Sequence, residues 1–208
     1  MNEEAVPLWG GFLVIGRRDM TASNDRRVPP GQRLVTDFPV LHAGRVEHID
    51  QTAWSLTISG LVESGVRFDF KELLALPATE QVCDIHCVTT WSKLDTRWKG
   101  VRTTELLSGV AVSPEARHVA IHAAAGWTTN LPLDEFLRDD VLVAYEYDGR
   151  PLTAEHGGPV RLLVPRLYFW KSAKWLTGIE FTAEERLGFW EVRGYHALGD
   201  PWLEQRYS

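Results

Sequence analysis

One short segment brings a thiol, two indole rings and a glycine close together in the sequence. It covers residues 84–92 around Cys87 and continues with a Trp-x-Gly-Val run at residues 98–101. A cysteine thiolate is a soft metal ligand, and bulky aromatic rings nearby can shield a metal–sulfur bond from water and oxidants. These residue types therefore indicate a candidate metal ligand at Cys87, whereas an isolated cysteine is more often a small buried hydrophobe.

The cysteine segment resembles the molybdenum-binding motif of the sulfite oxidase superfamily. Its Cys-Val-x-x-Trp-Ser run at residues 87–92, followed by Trp-x-Gly-Val, is similar to the branch that includes the periplasmic methionine sulfoxide reductase catalytic subunit. The resemblance implies that Cys87 is the only protein ligand of a molybdenum held by molybdopterin. It also implies an α+β fold of mixed sheets with short helices, the fold of the superfamily's molybdopterin-binding domain.

Two later segments resemble pterin-binding motifs of the same superfamily. The run His-Gly-Gly-Pro-Val-Arg at residues 156–161 would by itself indicate a glycine turn that enters a strand. The resemblance implies that His156 hydrogen-bonds the cofactor and that Arg161 neutralises its phosphate, a role that suits a guanidinium fork. The run Lys-Ser-Ala-Lys-Trp at residues 171–175 would otherwise indicate a solvated edge.

The resemblance implies that the lysine–serine run contacts the pterin phosphate through Ser172, through the backbone of Ala173 and through Lys174. Trp170 stands where the family often has glycine, so the local shape of the pocket is expected to differ. The resemblance implies three weaker cofactor contacts at positions where the family contacts the pterin: Leu41 and His42 in the segment at residues 40–44, and His122 after an apolar strand. A surface histidine remains an equal interpretation of His42.

The residues a few positions after the cysteine indicate which class of substrate the site accepts. Sulfite oxidases proper carry an arginine there that helps to bind the sulfite anion, but Ser92 occupies the nearest position and Lys93 is the first basic residue. Lys93 is therefore the candidate catalytic contact for substrate charge. Reduction of an S- or N-oxide is favoured over oxidation of sulfite.

Composition excludes several classes of protein. The chain has 208 residues, which fits one domain with a sizeable core, and 9 tryptophans that can fill a core or line a cofactor cleft. A net charge of -6 argues against nucleic acid as the main partner. Cys83 and Cys87 are the only cysteines, too few for a disulfide-dense scaffold. A Cys83–Cys87 disulfide and a zinc site that uses Cys83, His86 and Cys87 remain less favoured alternatives.

Hydrophobic periodicity and turn residues predict short strands and short helices in alternation, which favours an α+β fold. We predict an N-terminal arm over residues 1–36 and one molybdopterin-binding domain over residues 37–208. Strands are predicted at residues 54–62, 80–88, 118–122, 141–147, 160–165 and 175–181, and helices at 68–76 and 101–107 and from 134 to 137. Residues 126–130 are expected to form a loop near the mouth of the site, and residues 187–208 an irregular arm.

The sequence also predicts where the protein works and with what. Residues 1–15 lack a basic region before their apolar run, and no apolar run follows Arg17-Arg18, so we expect a cytoplasmic protein without a membrane span. The predicted activity is transfer of one oxygen atom between molybdenum and a small oxide or oxyanion substrate. No haem, iron–sulfur or flavin motif is visible, so an external electron-transfer partner is expected. The alternative is a non-catalytic molybdopterin-binding module or carrier subunit.

Overall fold

Two mixed β-sheets form the framework of the protein in the computed structural model, which describes residues 26–208. The first sheet contains β1 (Arg33–Leu34), β4 (Ala78–His86), β5 (Trp91–Arg102), β8 (Leu142–Tyr147), β9 (Arg150–Pro151) and β10 (Arg161–Leu163). The second contains β2 (Ser55–Gly60), β3 (Val66–Asp69), β6 (His118–Ala123), β7 (Thr128–Pro132) and β11 (Leu176–Thr182). Each sheet has one parallel pairing, β1 with β5 and β2 with β11, among antiparallel ones. The predicted α+β class is confirmed.

The helices of residues 26–208 are short: α1 (Phe70–Ala75), α2 (Thr103–Leu106) and α3 (Leu133–Phe136). Asp69 caps α1 in a capping box, because its carboxylate accepts from Glu72 N at 2.7 Å while Glu72 Oε2 accepts from Asp69 N at 2.8 Å. The helix predicted at residues 68–76 starts later than expected, since β3 continues to Asp69. No helix of the described residues is long and apolar enough to cross a membrane.

The helix predicted at residues 101–107 begins two residues later than expected. β5 continues to Arg102, which is the residue before α2 and makes no side-chain cap. The Thr103 hydroxyl instead donates to the carbonyl of Phe136 at 2.6 Å. Thr103 therefore joins α2 to α3 and does not satisfy the free N–H groups at the start of its own helix.

Strands β8 and β10 of the first sheet are buried on both of their faces. Along β8 and β10, Val143 and Leu162 belong to a core cluster that also holds Ile58, Ile121 and Ile179 of the second sheet. The residues next to them face the other way, because side chains of a strand alternate between faces. Leu142, Ala144 and Leu163 accordingly belong to a second cluster with Trp91, Trp98 and Phe169. This second cluster is the layer on which the candidate site is built.

The cysteine segment forms a hairpin of the first sheet. The strand predicted at residues 80–88 is β4, which ends at His86, so that Cys87 lies in the turn before β5. The Trp-x-Gly-Val run lies in β5, and its glycine is required by close packing: a Cβ at Gly100 would stand 2.4 Å from the carbonyl oxygen of Val143. The register shift between Lys99 and Gly100 in the β5–β8 pairing marks the same approach.

The segment before β2 contributes directly to the first sheet. Arg33 and Leu34 pair in parallel with Trp91 and Ser92 at the start of β5. Residues 1–25 of the predicted N-terminal arm lie outside the described residues. The boundary between an arm and a domain at residue 36 stays a prediction.

Candidate functional site

A cavity of about 320 Å³ opens beside Cys87. Its wall is built from five parts of the chain: the segment after β1, the turn between β4 and β5, the β6–β7 connection, the segment between β10 and β11, and the C-terminal tail. The residues predicted from the sequence that line it are Leu41, His42, Cys87, Arg161, Ser172, Ala173 and Lys174. Residues more than 130 positions apart in the chain therefore meet around one thiol.

The turn between β4 and β5 holds Cys87 in place. Cys87 N donates to the carbonyl of Trp91 at 2.8 Å, and Thr90 N donates to the carbonyl of Cys87 at 3.0 Å. Gln32 Nε2, next to β1, donates to the same Cys87 carbonyl at 3.1 Å. The Thr89 hydroxyl lies 3.2 Å from Sγ, within hydrogen-bond reach. The backbone position and the direction of the sulfur are thus set before any ligand binds.

The groups around Cys87 shift the pKa of its thiol in opposite directions. Burial raises the pKa of the Cys87 thiol, whereas the hydrogen bond from Thr89 and the positive charges of Arg206 and Lys174 act to lower it. The thiol is therefore protonated at neutral pH in the protein alone. A metal ion removes the proton from a thiol that coordinates it, so the raised pKa does not prevent Cys87 from acting as a metal ligand.

Arg161 is a buried cation without a carboxylate partner in the described residues. Its side chain donates to the backbone carbonyls of His156 and Ser172, both at 2.7 Å, and packs over the ring of Phe169 at 4.3 Å. Burial lowers the pKa of Arg161 to about 9, so the guanidinium remains charged at neutral pH. A buried charge is costly unless it is paired, so this position favours an anion in the cavity.

The lysine–serine run lies next to Arg161. Lys174 Nζ donates to the carbonyls of Leu41 at 2.8 Å and Glu155 at 2.5 Å, which ties the segment after β1 to the site. Burial and the neighbouring charge of Arg161 lower the pKa of Lys174 to about 8. Ser172 Oγ accepts from Val164 N at 2.8 Å, and the Ala173 carbonyl accepts from Leu162 N at 2.9 Å.

The glycine turn packs directly on this run. Gly157 has φ +98°, and a Cβ there would stand 2.8 Å from Cα of Lys174, so only glycine fits. The carbonyl of Gly157 accepts from Trp175 N at 3.1 Å. The two segments that resemble pterin-binding motifs are therefore neighbours in space, and both face the cavity through Arg161 and Lys174.

Three predicted site residues do not line the cavity. His122 is held by Glu180 of β11, with Nε2 3.1 Å from Oε2, because the β6–β11 register places these side chains close together. The ring of His156 stacks on Phe38 at 3.9 Å, and it is its backbone carbonyl that reaches Arg161. The geometry brings neither imidazole to the thiol.

Lys93 is the third of these residues. Its Nζ donates to the carbonyl of Thr36, because the parallel pairing of β1 with β5 brings Thr36 alongside. Ser92 is buried and its hydroxyl lies 2.8 Å from His86 Nδ1. The structure therefore gives no support to Lys93 as a contact for substrate charge. Arg161 and Lys174 are the only lysine or arginine side chains of residues 26–208 in the cavity wall.

Aromatic side chains make up much of the wall and were not assigned as site residues from the sequence. Residues 126–130 do not form the predicted loop, since β7 begins at Thr128, but Trp127, Thr128 and Thr129 do line the cavity. Trp190 and Tyr195 of the C-terminal tail line it as well. The count of tryptophans was the one available signal, and it does not say which rings reach the site.

Neither alternative that uses both cysteines finds support. Cys83 and Cys87 are free thiols, so no disulfide joins them. No group of three or more histidine, cysteine, aspartate or glutamate side chains within residues 26–208 is arranged to hold a metal ion. A structural zinc site therefore has no ligand set in this part of the chain, whereas one thiolate suffices for a metal held mainly by an organic cofactor.

The sequence profile described as oxidoreductase molybdopterin binding domain matches residues 43–190. The chain belongs to this family. Its resemblance to the sulfite oxidase superfamily is confirmed, and the protein is an oxidoreductase of the molybdopterin-binding class. The matched region includes the cysteine turn, the glycine turn and the lysine–serine run, the three segments that meet at the cavity.

Named relatives agree with this assignment. The chain is 52% identical over 183 residues to the uncharacterized oxidoreductase YuiH of Bacillus subtilis, a match that covers 88% of this chain and 92% of that protein. It is 30% identical to the putative protein-methionine-sulfoxide reductase subunit YedZ1 of Azospira oryzae, over 74% of this chain and 58% of that protein. It is 32% identical to the protein-methionine-sulfoxide reductase catalytic subunit MsrP of Gluconobacter oxydans, over 73% and 55%. The chain thus spans about half the length of its methionine sulfoxide reductase relatives.

A solved structure shares the fold. The sulfane dehydrogenase SoxCD of Paracoccus pantotrophus superposes with a TM-score of 0.62, and the match covers 85% of this chain and 56% of that one. The two sequences are 20% identical, so the likeness is one of architecture. The structural match therefore agrees with the α+β fold described above.

The residues present fit the anionic cofactor that the family implies. Arg161 is a buried cation that lacks a carboxylate partner within residues 26–208, and Lys174 lies beside it. Trp91, which also lines the cavity, has a buried indole N–H without a hydrogen-bond acceptor. Together with the Cys87 thiol, these groups offer two cations, a free donor and a soft ligand, which matches a phosphate-bearing pterin with a metal.

The packing of His156 predicts a pH dependence of stability. Burial and the charges of Arg161 and Lys174 lower the pKa of His156 from 6.5 to about 4. The unfolded chain therefore binds a proton as the pH falls through 6.5, while the folded protein does not until about 4. Stability that is present above pH 6.5 is lost progressively toward pH 4.

We expect this loss to be smaller in the His156→Gln variant. Urea unfolding of both proteins at about pH 7 and about pH 5 measures their free energies of unfolding. The difference in free energy between the wild type and His156→Gln should be smaller at the lower pH, because glutamine does not titrate. His42→Gln, at an exposed position, is the matched control and should follow the wild type. Equal pH dependence of the wild type and His156→Gln would contradict the prediction.

Proposed function

We propose that this protein reduces small S- or N-oxides, removing one oxygen atom from its substrate with molybdopterin as cofactor. The observation that carries the proposal is the distribution of positive charge around the Cys87 thiol. Within the described residues, Arg161 and Lys174 are the only lysine or arginine side chains that line the cavity, and they fit the cofactor phosphate. Arg206, whose charge also acts on Cys87, is bonded to the carbonyl of Val88 and does not line the cavity. An oxyanion substrate such as sulfite requires a further fixed cation, whereas a neutral oxide does not.

The region after the cysteine supports the same choice. Ser92 is buried and bonded to His86, and the ammonium group of Lys93 is bonded to Thr36. Neither side chain is free to hold an anion beside Cys87. The relatives that are named methionine sulfoxide reductase subunits add weight, although they match at 30% and 32% identity over about half their length.

The overall reaction for a sulfoxide is R₂S=O + 2 H⁺ + 2 e⁻ → R₂S + H₂O. When bound, molybdopterin would supply a molybdenum centre able to exchange two electrons and one oxygen atom with the substrate. The Cys87 sulfur would hold the metal, with the Thr89 hydroxyl 3.2 Å away to orient it. Arg161 and Lys174 would hold the phosphate. No aspartate or glutamate of residues 26–208 lines the cavity, so the protons are expected to come from solvent.

The electrons require an outside donor. With 2 cysteines the chain cannot ligate an iron–sulfur cluster with four thiolates, and a single-electron carrier is the expected partner. Relatives are named as a subunit and a catalytic subunit, which agrees with work alongside a partner. The cytoplasmic location stays a prediction.

The test is an assay of protein expressed in a host that makes molybdopterin. With a reduced viologen dye as electron donor, we expect dye oxidation that depends on dimethyl sulfoxide, methionine sulfoxide or trimethylamine N-oxide. Oxidation of sulfite with ferricyanide as acceptor, measured in parallel, is expected to be much slower. A protein prepared without molybdate is the control for activity that does not require the metal.

Two outcomes would contradict the proposal. Sulfite oxidation that is faster than every oxide reduction would place the cavity among sulfite-oxidising sites. A protein with stoichiometric molybdenum that neither reduces oxides nor changes its absorption with dithionite would favour the carrier-subunit alternative.

A further inference from the structure

Three aromatic rings that contact one another form one wall of the cavity. This wall, here called the tail wall, consists of Trp127 from the β6–β7 connection and of Trp190 and Tyr195 from the C-terminal tail. The rings of Trp127 and Trp190 are nearly parallel, with an interplanar angle of 27° and centroids 6.2 Å apart. Tyr195 stands almost at a right angle to Trp190, at 72° and 5.1 Å, and its own ring is stacked against Trp170 and Tyr207. The tail wall is therefore an aromatic corner and not a flat surface.

Hydrogen bonds hold the corner in shape without any ligand. Phe189 N donates to the carbonyl of Thr128 at 2.9 Å, which joins the tail to β7. Tyr195 N donates to the carbonyl of Trp190 at 3.1 Å, so the two rings belong to one tight turn. The buried Glu191 between them is bonded to Lys171 at 2.7 Å. A rigid aromatic site binds with little loss of conformational entropy.

The chemistry of this corner is that of aromatic ring faces. The faces of indole and phenol rings carry negative electrostatic potential, so they attract cations and positively polarised groups. No carboxylate of residues 26–208 lines the cavity, so the attraction comes from the rings alone. An oxyanion is repelled by ring faces, whereas the alkyl groups around the positive sulfur or nitrogen of an oxide are attracted to them.

We propose that the tail wall is a binding subsite for the alkyl-bearing, positively polarised sulfur or nitrogen of the substrate, and that Trp190 and Tyr195 determine substrate specificity. The inference rests on the proposed function for the identity of the substrate, but the subsite can be tested separately. A quaternary ammonium ion has the same alkyl groups and a full positive charge and cannot be reduced. Tetramethylammonium is therefore a probe of the corner itself.

The experiment uses the molybdenum-loaded protein and four variants. Trp190→Leu and Tyr195→Leu each remove one ring face, Trp190→Phe keeps a face at the same position, and Trp202→Leu is the control at an exposed tryptophan outside the cavity. Binding of tetramethylammonium is followed by the indole N–H signals in NMR spectra, with sodium chloride as the salt control. KM and kcat for trimethylamine N-oxide and the inhibition constant of tetramethylammonium are measured with the viologen dye.

We expect each leucine variant to weaken tetramethylammonium binding and to raise KM for trimethylamine N-oxide by about tenfold, the usual worth of a partly buried cation–π contact. The value of kcat should change much less, and Trp190→Phe should recover most of the affinity. Trp202→Leu should equal the wild type. Because Trp190 and Tyr195 are in contact, their effects are not expected to add, but each leucine variant is a separate protein, so a folding failure of one leaves the other as a test.

The possible failures are distinguishable. Unchanged tetramethylammonium binding and unchanged KM in a folded leucine variant would overturn the subsite while leaving oxide reduction in place. Tetramethylammonium binding that depends on Trp190 and Tyr195, in a wild type that reduces no oxide, would support the subsite and overturn the proposed function.

Discussion

Replacing Cys87 with serine is expected to reduce oxide-dependent turnover by more than about 100-fold, because loss of even an outer hydrogen-bond partner of a metal ligand costs 10–100-fold. Serine keeps the size and the turn geometry, but its hydroxyl is a hard oxygen donor that stays protonated where a thiol is readily ionised by a metal. Among residues 26–208, Cys87 is the one sulfur-bearing residue that lines the cavity, so no other sulfur of this part of the chain can replace it.

Cys83→Ser is the matched control for this prediction. Cys83 is also a free thiol and stands four residues earlier, but it pairs with Thr96 inside the sheet and does not line the cavity. Molybdenum content by inductively coupled plasma mass spectrometry and turnover with a viologen dye should match the wild type in Cys83→Ser. Cys87→Ser and Cys87→Ala should lose turnover and the visible absorption of the metal–thiolate bond. Full turnover in Cys87→Ser would refute the assignment of Cys87 as the ligand.

The segments that were predictable from the sequence are those whose residues act together over a few positions. The cysteine turn, the glycine turn and the lysine–serine run each place their characteristic residues within six positions of the sequence, so a resemblance of motifs was enough to find them. Six strands (β2, β4, β6, β8, β10 and β11) and α1 were also readable, since hydrophobic periodicity is a local pattern. The longest strand, β5, was not predicted. The predicted starts of two helices were too early, because β3 extends to Asp69 and β5 extends to Arg102.

Sequence reasoning failed where a side chain has a distant partner. His122 is a histidine at the end of an apolar strand, but the sheet register pairs it with Glu180, 58 residues away. Lys93 follows the motif closely, and only the parallel pairing of β1 explains why its ammonium group reaches Thr36. The tail wall depends on the same kind of contact, because Trp190 reaches the cavity only when the tail packs on β7. None of these contacts leaves a periodic signal in the sequence.

Glu191→Ala is expected to lower the free energy of unfolding by about 3–5 kcal/mol, the usual cost of removing one partner from a buried ion pair. The side chains of Lys171 and Glu191 are both fully buried, with 2.7 Å between Nζ and Oε1. Glu191 also accepts from the Thr129 hydroxyl at 2.6 Å and from Trp170 Nε1 at 3.1 Å. Alanine would leave the ammonium group of Lys171 without its counterion. Urea unfolding followed by tryptophan fluorescence measures the loss.

The pH dependence of this loss separates the stranded charge from a simple packing defect. Burial lowers the pKa of Lys171 below its ordinary 10.5, and removal of Glu191 takes away the charge that opposes this shift. As the pH rises toward 10.5, the folded variant releases the proton while the unfolded chain keeps it, so the stability of Glu191→Ala should increase relative to the wild type. A deficit that does not change with pH would indicate a packing defect alone.

A double variant identifies what the ion pair contributes. Lys171→Met with Glu191→Leu replaces both charges by apolar groups of similar size, which is often neutral or stabilising for a buried pair. We expect the double variant to recover most of the stability lost in Glu191→Ala. The remaining loss is that of the hydrogen bonds that Thr129 and Trp170 donate to Glu191. Glu191 also accepts from Trp170, which lies between β10 and β11 and stacks on Tyr195 of the tail wall. If this hydrogen bond positions the tail wall, the double variant should remain stable and yet bind tetramethylammonium more weakly, because leucine at position 191 cannot accept it. Wild-type affinity in the stable double variant would mean that apolar packing alone positions Trp190 and Tyr195.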